Sequence, residues 1–345
     1  MRNIYGIKRT DLEEYFLSKG EKKYKALQVF EWLYEKKVRK YSEMTNIKKE
    51  LQEELAKDFA NNFISIEKKQ EDKLTKKYLF RLEDDNYIEA VLMEHDYGLS
   101  ICVSSEVGCN MGCAFCESGR LKKVRNLESY EMVEQILLVE ADIKKRISSV
   151  VIMSIGEPLD NYDNVLDFIK IINDAKGLAI GARHITLSTC GLIPKIKELS
   201  EESLQINLAI SLHAPNTQLR DKIMPINKAY PLNDLIKTIK EYTNKTNRRV
   251  TIEYVMLNEV NDNETQAMEL AKLLKGLNVY VNLIPYNETS HIEFKKSTPE
   301  RIQKFYDILI QQGLTATTRK EFGSKIDAAC GQLRSKEVKS WKVFI

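Results

Sequence analysis

The hydrophobic pattern predicts an α/β chain: a partial (β/α)6 barrel, preceded by a small helical N-terminal domain and a short β-rich connector. Three observations carry this. From about residue 99, short apolar runs alternate with stretches of helical period, the order of a parallel sheet. About six such units fit the remaining length, fewer than the eight of a full barrel. Ahead of them the period is helical to about residue 60, then strand-like over 63–95.

Residues 1–60 form the expected helical domain. The stretches from Asp11 and from Lys25 carry apolar residues at steps of three and four, and Thr45 can cap the stretch that follows it. Residues 61–98 form the connector, with strands at 63–66, 77–82 and 87–93 between polar turns. Residues 99–345 form the barrel and a C-terminal segment. Its strands are expected at 99–104, 149–153, 184–188, 205–212, 249–256, 279–284 and 315–319. Its helices are expected at 130–145, 162–175, 231–243, 263–275 and 299–312.

The 345 residues are 43% hydrophobic and 30% charged, a globular balance for one large domain, alone or with a small one. No apolar run is long enough for a membrane span. The stretch from Met1 to Arg9 lacks an apolar signal core, so a cytoplasmic protein is expected. A net charge of +3 is too small to argue for nucleic acid from composition. Arg120, Lys122, Lys123 and Arg125 could neutralise phosphates, although such runs are more often solvated surface.

The chemistry is concentrated in Cys109, Cys113 and Cys116, three thiols in eight residues. A structural zinc site needs four ligands, usually as two separated pairs, and no fourth Cys or His lies nearby. Iron–sulfur clusters are held by thiolates, normally four; three would leave one iron open to a substrate. The other cysteines are Cys102, Cys190 and Cys330, so this is no disulfide scaffold. Cys190 reads as a small buried hydrophobe. Cys102 lies at the mouth of the cysteine loop and Cys330 follows the last strand, so both could reach one cleft.

Ligands of parallel α/β folds gather at the carboxyl ends of strands. Here those ends carry Gly156-Glu157-Pro158, Ser188-Thr189-Cys190, Ser211-Leu212-His213 and the run from Asn282 to Asn287. A glycine admits close backbone approach, and a carboxylate accepts from an ammonium group. Each signal alone is more often a turn or a cap, and the alternative for His213 is a hydrogen-bonded structural histidine. Their placement at successive strand ends points to one cleft.

The Cys-x3-Cys-x2-Cys run, with Phe115 before its last cysteine, is similar to the signature of radical S-adenosylmethionine (SAM) enzymes. Over nearly its whole length the chain resembles the RlmN/Cfr family of radical SAM RNA adenosine methyltransferases. The matching stretches run from Leu27 to Tyr34, Met44 to Asn46, Cys102 to Cys109, Leu208 to Asn216, Met224 to Asn227, Asn282 to Asn287 and Asp327 to Leu333. The resemblance implies a 4Fe-4S cluster on Cys109, Cys113 and Cys116, with SAM as substrate and methyl source. It implies that Cys330 takes a methyl from one SAM. A second SAM, cleaved by the reduced cluster, then activates that methyl for addition to an adenine carbon. Cys102 would resolve the protein–RNA adduct through a transient disulfide with Cys330, and Glu89 would accept the ring proton. Gly156, Glu157, Ser188, Ser211, Leu212, His213 and Asn287 map to SAM contacts.

The implied partners are 23S rRNA, a tRNA in many members, and an electron donor such as flavodoxin or ferredoxin. No membrane partner is expected, and a monomer is. Residues 1–60 are expected to help hold RNA, so that deleting them removes RNA binding and spares the cluster. The family methylates either C2 or C8 of a peptidyl-transferase-centre adenosine, and the C8 branch confers antibiotic resistance. Gly156-Glu157-Pro158 and the run from Ala209 to Asn216 resemble the C2 branch. The stretch from Cys109 to Cys113 and the run from Glu321 to Ser324 lean towards C8. C2 is the reading adopted, with C8 as the alternative. A radical SAM enzyme acting on a non-RNA substrate and a non-catalytic iron–sulfur protein are the rivals.

Overall fold

The computed structural model describes residues 1–289, 291–319, 326 and 331–342, the last five of these by backbone alone. Three helices come first: α1 (Arg9–Ser18), α2 (Tyr24–Tyr34) and α3 (Lys49–Asp58). Four strands follow: β1 (Ser65–Asp72), β2 (Thr75–Arg81), β3 (Tyr87–His95) and β4 (Gly98–Val103). Then come the short ribbon strands β5 (Glu106–Val107) and β6 (Arg125–Asn126), with α4 (Glu117–Arg120) between them. The alternating part is α5 (Ser129–Ile143), β7 (Ser149–Ile152), α6 (Tyr162–Asn173), β8 (Ile185–Thr189), α7 (Ile193–Leu199), β9 (Asn207–Ser211), α8 (Thr217–Ile223) and α9 (Leu232–Thr246). It continues through β10 (Val250–Met256), α10 (Glu264–Leu274), β11 (Val279–Pro285), α11 (Pro299–Gln311) and β12 (Ala316–Thr318), and α12 (Gln332–Lys342) ends it.

One ten-stranded sheet runs β1-β2-β3-β4-β7-β8-β9-β10-β11-β12. The pairs from β1 to β4 are antiparallel, and from β4 to β12 every pair is parallel. Among the described residues β12 has no second neighbour, so the parallel part is a partial barrel, as the α/β pattern predicts. The connector strands thus continue the barrel's own sheet. β1 is the outer edge; its charged, exposed face of Glu67, Lys68, Lys69 and Glu71 opposes edge-to-edge pairing.

Local signals set the helix ends. α5 begins with a reciprocal capping box between Glu128 and Glu131, and α10 with one between Asn263 and Gln266. Thr298 caps α11, with Pro299 in its first turn. The seven-residue helices α7 and α8 escape a periodicity reading because each spans only two turns.

The N-terminal helices pack on α5 and α6 through one continuous apolar core. Ile4, Tyr5, Phe16 and Phe30 belong to the same buried cluster as Ile152, Leu208 and Val281 of the barrel. Ser129 donates to the Gly6 carbonyl at 3.1 Å, and a Cβ on Gly6 would lie 2.7 Å from that hydroxyl. Ion pairs ring the contact: Lys8–Asp167 at 2.6 Å, Arg9–Asp174 at 2.9 Å, Lys37–Glu140 at 2.6 Å and Arg39–Glu134 at 3.1 Å.

Candidate active site

The cysteine loop leaves the end of β4 and is tied at its base by the β5–β6 ribbon. Gly108 must be glycine: its φ is +86°, and a Cβ there would lie 2.2 Å from the Lys122 carbonyl oxygen. Phe115 anchors the loop to the barrel. Its ring meets that of His213 edge-on at 4.9 Å, and its carbonyl accepts from the Tyr286 hydroxyl at 3.2 Å.

Cys109, Cys113 and Cys116 line one wall of a cavity of about 300 Å³. Burial pushes the Cys109 thiol up to about 12 and raises the other two, and mutual repulsion adds to it for Cys109 and Cys113. Three bare thiolates are therefore disfavoured there, whereas iron would supply the compensating positive charge. Among the described residues no three His, Cys, Asp or Glu side chains converge closely enough for a single ion. Three thiols on one wall are the donor type that iron–sulfur clusters take.

The strand ends supply the rest of the wall. Gly156, Glu157, Ser188, Ser211, His213 and Asn287 all line the cavity, together with Cys102. The Glu157 carboxylate is buried and accepts from the Leu159 and Cys190 amides at 3.0 and 2.7 Å. Burial holds its carboxyl above the ordinary range. Its own amide donates to Glu106 at 2.9 Å. Glu106 is pushed up to about 7 by burial, against the pull of Lys123 at 2.6 Å.

His213 is driven down to about 3 by burial and by Arg220. Its Nδ1 accepts from the Val255 amide at 3.0 Å, so the neutral ring carries its proton on Nε2. Ser211, at the end of β9, and His213, at a left-handed φ of +56°, line the cavity, whereas the Leu212 side chain is buried in the apolar core. Its carbonyl accepts from Arg220 at 3.2 Å.

Glu89 is fully buried and is not part of the cavity wall. Its carboxylate meets Lys77 Nζ at 2.9 Å and accepts from the amides of Gly331, at 2.8 Å, and of Arg334. Cys330 lies outside the described residues. Two of the basic residues after the cluster loop are committed within the fold. Lys123 pairs with Glu106 and Asp160, and Arg125 with Asp84 and Glu131. Arg120 donates to the His291 carbonyl at 2.9 Å.

Sequence reasoning missed two charged residues. Arg220 is fully buried and bonds the Leu212 and Cys190 carbonyls and Asn227, tying together the ends of β8 and β9. No local signal marks it. Glu253 lines the cavity and accepts from Asn282 at 2.7 Å. Its signal was available: a lone carboxylate in the apolar strand β10.

Comparison with known proteins agrees with this architecture. The family model of the radical SAM superfamily matches residues 103–271, and that of the ribosomal RNA large subunit methyltransferase N-terminal domain matches residues 2–60. A probable dual-specificity RNA methyltransferase RlmN of Enterococcus faecalis is 53% identical over 352 residues, covering 99% of this chain and 98% of the relative. One of Listeria monocytogenes is 52% identical over 346 residues, covering 98% of this chain and 94% of the relative. A radical SAM methyltransferase from Sphaerobacter thermophilus superposes with a TM-score of 0.91 at 39% identity, over 96% of this chain and 99% of that one.

Proposed function

The chain belongs to the RlmN family of radical SAM RNA methyltransferases, and on that premise we propose that it methylates C2 of an adenosine in the peptidyl-transferase centre of 23S rRNA and of an anticodon-adjacent adenosine in tRNA. The carrying observation is the convergence of Cys109, Cys113, Cys116, Glu157, Ser188, Ser211, His213, Asn287 and Cys102 on one cavity. The names of the relatives, dual-specificity RNA methyltransferases, support both RNA classes as substrates.

Cys109, Cys113 and Cys116 would hold the cluster, which when bound supplies the electron for reductive cleavage of SAM. Gly156 lets the backbone approach SAM, and the Glu157 carboxylate accepts from its ammonium group. Ser188 and Ser211 offer hydroxyls to ribose or carboxylate, the His213 Nε2–H donates, and Asn287 reads the adenine. A ring carbon of adenine is a poor nucleophile, so a carried methyl on Cys330 suits the reaction better than direct displacement. Cys102, buried in the same cavity, would then resolve the adduct by thiol–disulfide chemistry. The target base must leave its stack to enter.

The test is anaerobic reaction of reconstituted protein with SAM, reductant and unmodified 23S rRNA or tRNA, followed by nucleoside mass spectrometry. 2-Methyladenosine in both RNAs is the expected product. 8-Methyladenosine would move the protein to the C8 reaction. SAM cleavage without methylated RNA would overturn the substrate assignment and keep the cluster.

A further inference from the structure

Glu89 and Lys77 lie on neighbouring strands, on the same face of the β2–β3 ladder, where Leu79 pairs with Glu89 and Lys77 with Val91. Both side chains are 0% exposed and their charged atoms are 2.9 Å apart. Among the described residues the carboxylate also accepts from the amides of Gly331 and Arg334, 242 and 245 residues along the chain. These are N–H groups at the start of α12, which have no acceptor within the helix. A carboxylate there satisfies them and complements the helix dipole.

Two further contacts fix the same point. Leu333 packs with Leu79 and Tyr87 in a small apolar cluster of its own. Gly331, at φ +79°, sits so close to the cluster loop that a Cβ would lie 2.6 Å from Ser118 Oγ and 2.9 Å from its amide nitrogen. The residue directly after Cys330 is therefore held between Glu89 and the loop that carries Cys116.

We infer that Lys77 is a positioning residue: it supplies the counter-charge that lets the buried Glu89 carboxylate clamp the start of α12, and so sets where the Cys330 segment is anchored. The significance of that anchor rests on the reading of Cys330 as methyl carrier; the clamp itself does not. A buried carboxylate stripped of the cation 2.9 Å from it is strongly disfavoured, whereas removal of both charges together is close to neutral. The Arg334 guanidinium is also attracted to Glu89, and Lys77 is the cation in direct contact.

Hydrogen–deuterium exchange of the full-length protein, without RNA or SAM, tests the clamp independently of the methylation reading. In Lys77→Met and in Glu89→Gln, amides in a peptide covering 331–336 should exchange about tenfold faster or more, with the β9 peptide unchanged. Methyl loading of Cys330 by SAM, read as a mass shift of its peptide, should slow in both variants. If Lys77→Met unfolds the barrel, the Lys77→Met/Glu89→Gln double variant should restore β9 protection while 331–336 stays fast. Wild-type exchange at 331–336 in Lys77→Met, or in the double variant, would overturn the inference.

Discussion

Replacing Gly156 by alanine should cost far more than an ordinary glycine substitution. Its φ is +110°, outside the range comfortable for L residues, which costs about 1–3 kcal/mol. The new Cβ would also lie 2.6 and 2.7 Å from Glu106 Cβ and Cγ and 2.8 Å from Ser105 Oγ. Glu106 cannot yield freely, because it is fully buried and held by Lys123 at 2.6 Å and the Glu157 amide at 2.9 Å. Overpacking of this kind adds about 1–3 kcal/mol. The sum, roughly 2–6 kcal/mol, corresponds to a Tm loss of about 4–12 °C at about 2 °C per kcal/mol for a chain of this length. Gly276→Ala is the internal control. Its φ is +80° with nothing within 4 Å, so it should show the backbone cost alone, about 1–2 kcal/mol. Scanning calorimetry of both variants at one scan rate measures the difference. Equal losses would refute the tight contact between the Gly156 turn and Glu106, and with it the argument that this turn is shaped for close approach.

Glu134 gives a pH test. Burial pushes it up to about 8 despite Arg39, so the folded state holds a proton that the unfolded chain releases, and stability falls as pH rises towards 8. His213 works in the opposite sense, losing stability only as pH falls below about 6.5. Between pH 7 and 8 the Glu134 contribution to stability should therefore decline by at most ~1.4 kcal/mol per pH unit, beside that of Glu106, and Glu134→Gln should remove that part of the decline. Arg220→Met removes the bonds to the Cys190, Leu212 and Ser211 carbonyls and to Asn227 Oδ1, and should cost about 2–5 kcal/mol by urea denaturation. Alanine at any one of Cys109, Cys113 and Cys116 should abolish iron and sulfide retention after reconstitution, measured by metal analysis and absorbance. Truncation of residues 1–60 should destabilise the barrel as well as any RNA contact, because Ile4, Tyr5 and Phe30 share its core; a truncated protein that melts at the full-length temperature would refute this.

The sequence determined whatever rests on short-range order. Residue periodicity is a local property, so the alternation of strands and helices, the partial barrel and the helical start were all readable, with ends shifted by a few residues. The cysteine loop was readable because its three thiols lie within eight residues, and the Gly156-Glu157 turn because it comes within four residues of a strand end. Tertiary structure decided what depends on partners distant in the chain. It turned Leu212 into the core while Ser211 and His213 face the cavity, and it brought Arg220 under the ends of two strands. It neutralised Lys123 and Arg125 with carboxylates up to 41 residues away, removing them from the free basic surface. It also placed the Glu89 carboxylate on amides more than 240 residues along the chain. No periodicity encodes such pairs, because their energy arises only when burial removes water and leaves each polar group to the partner that folding brings to it.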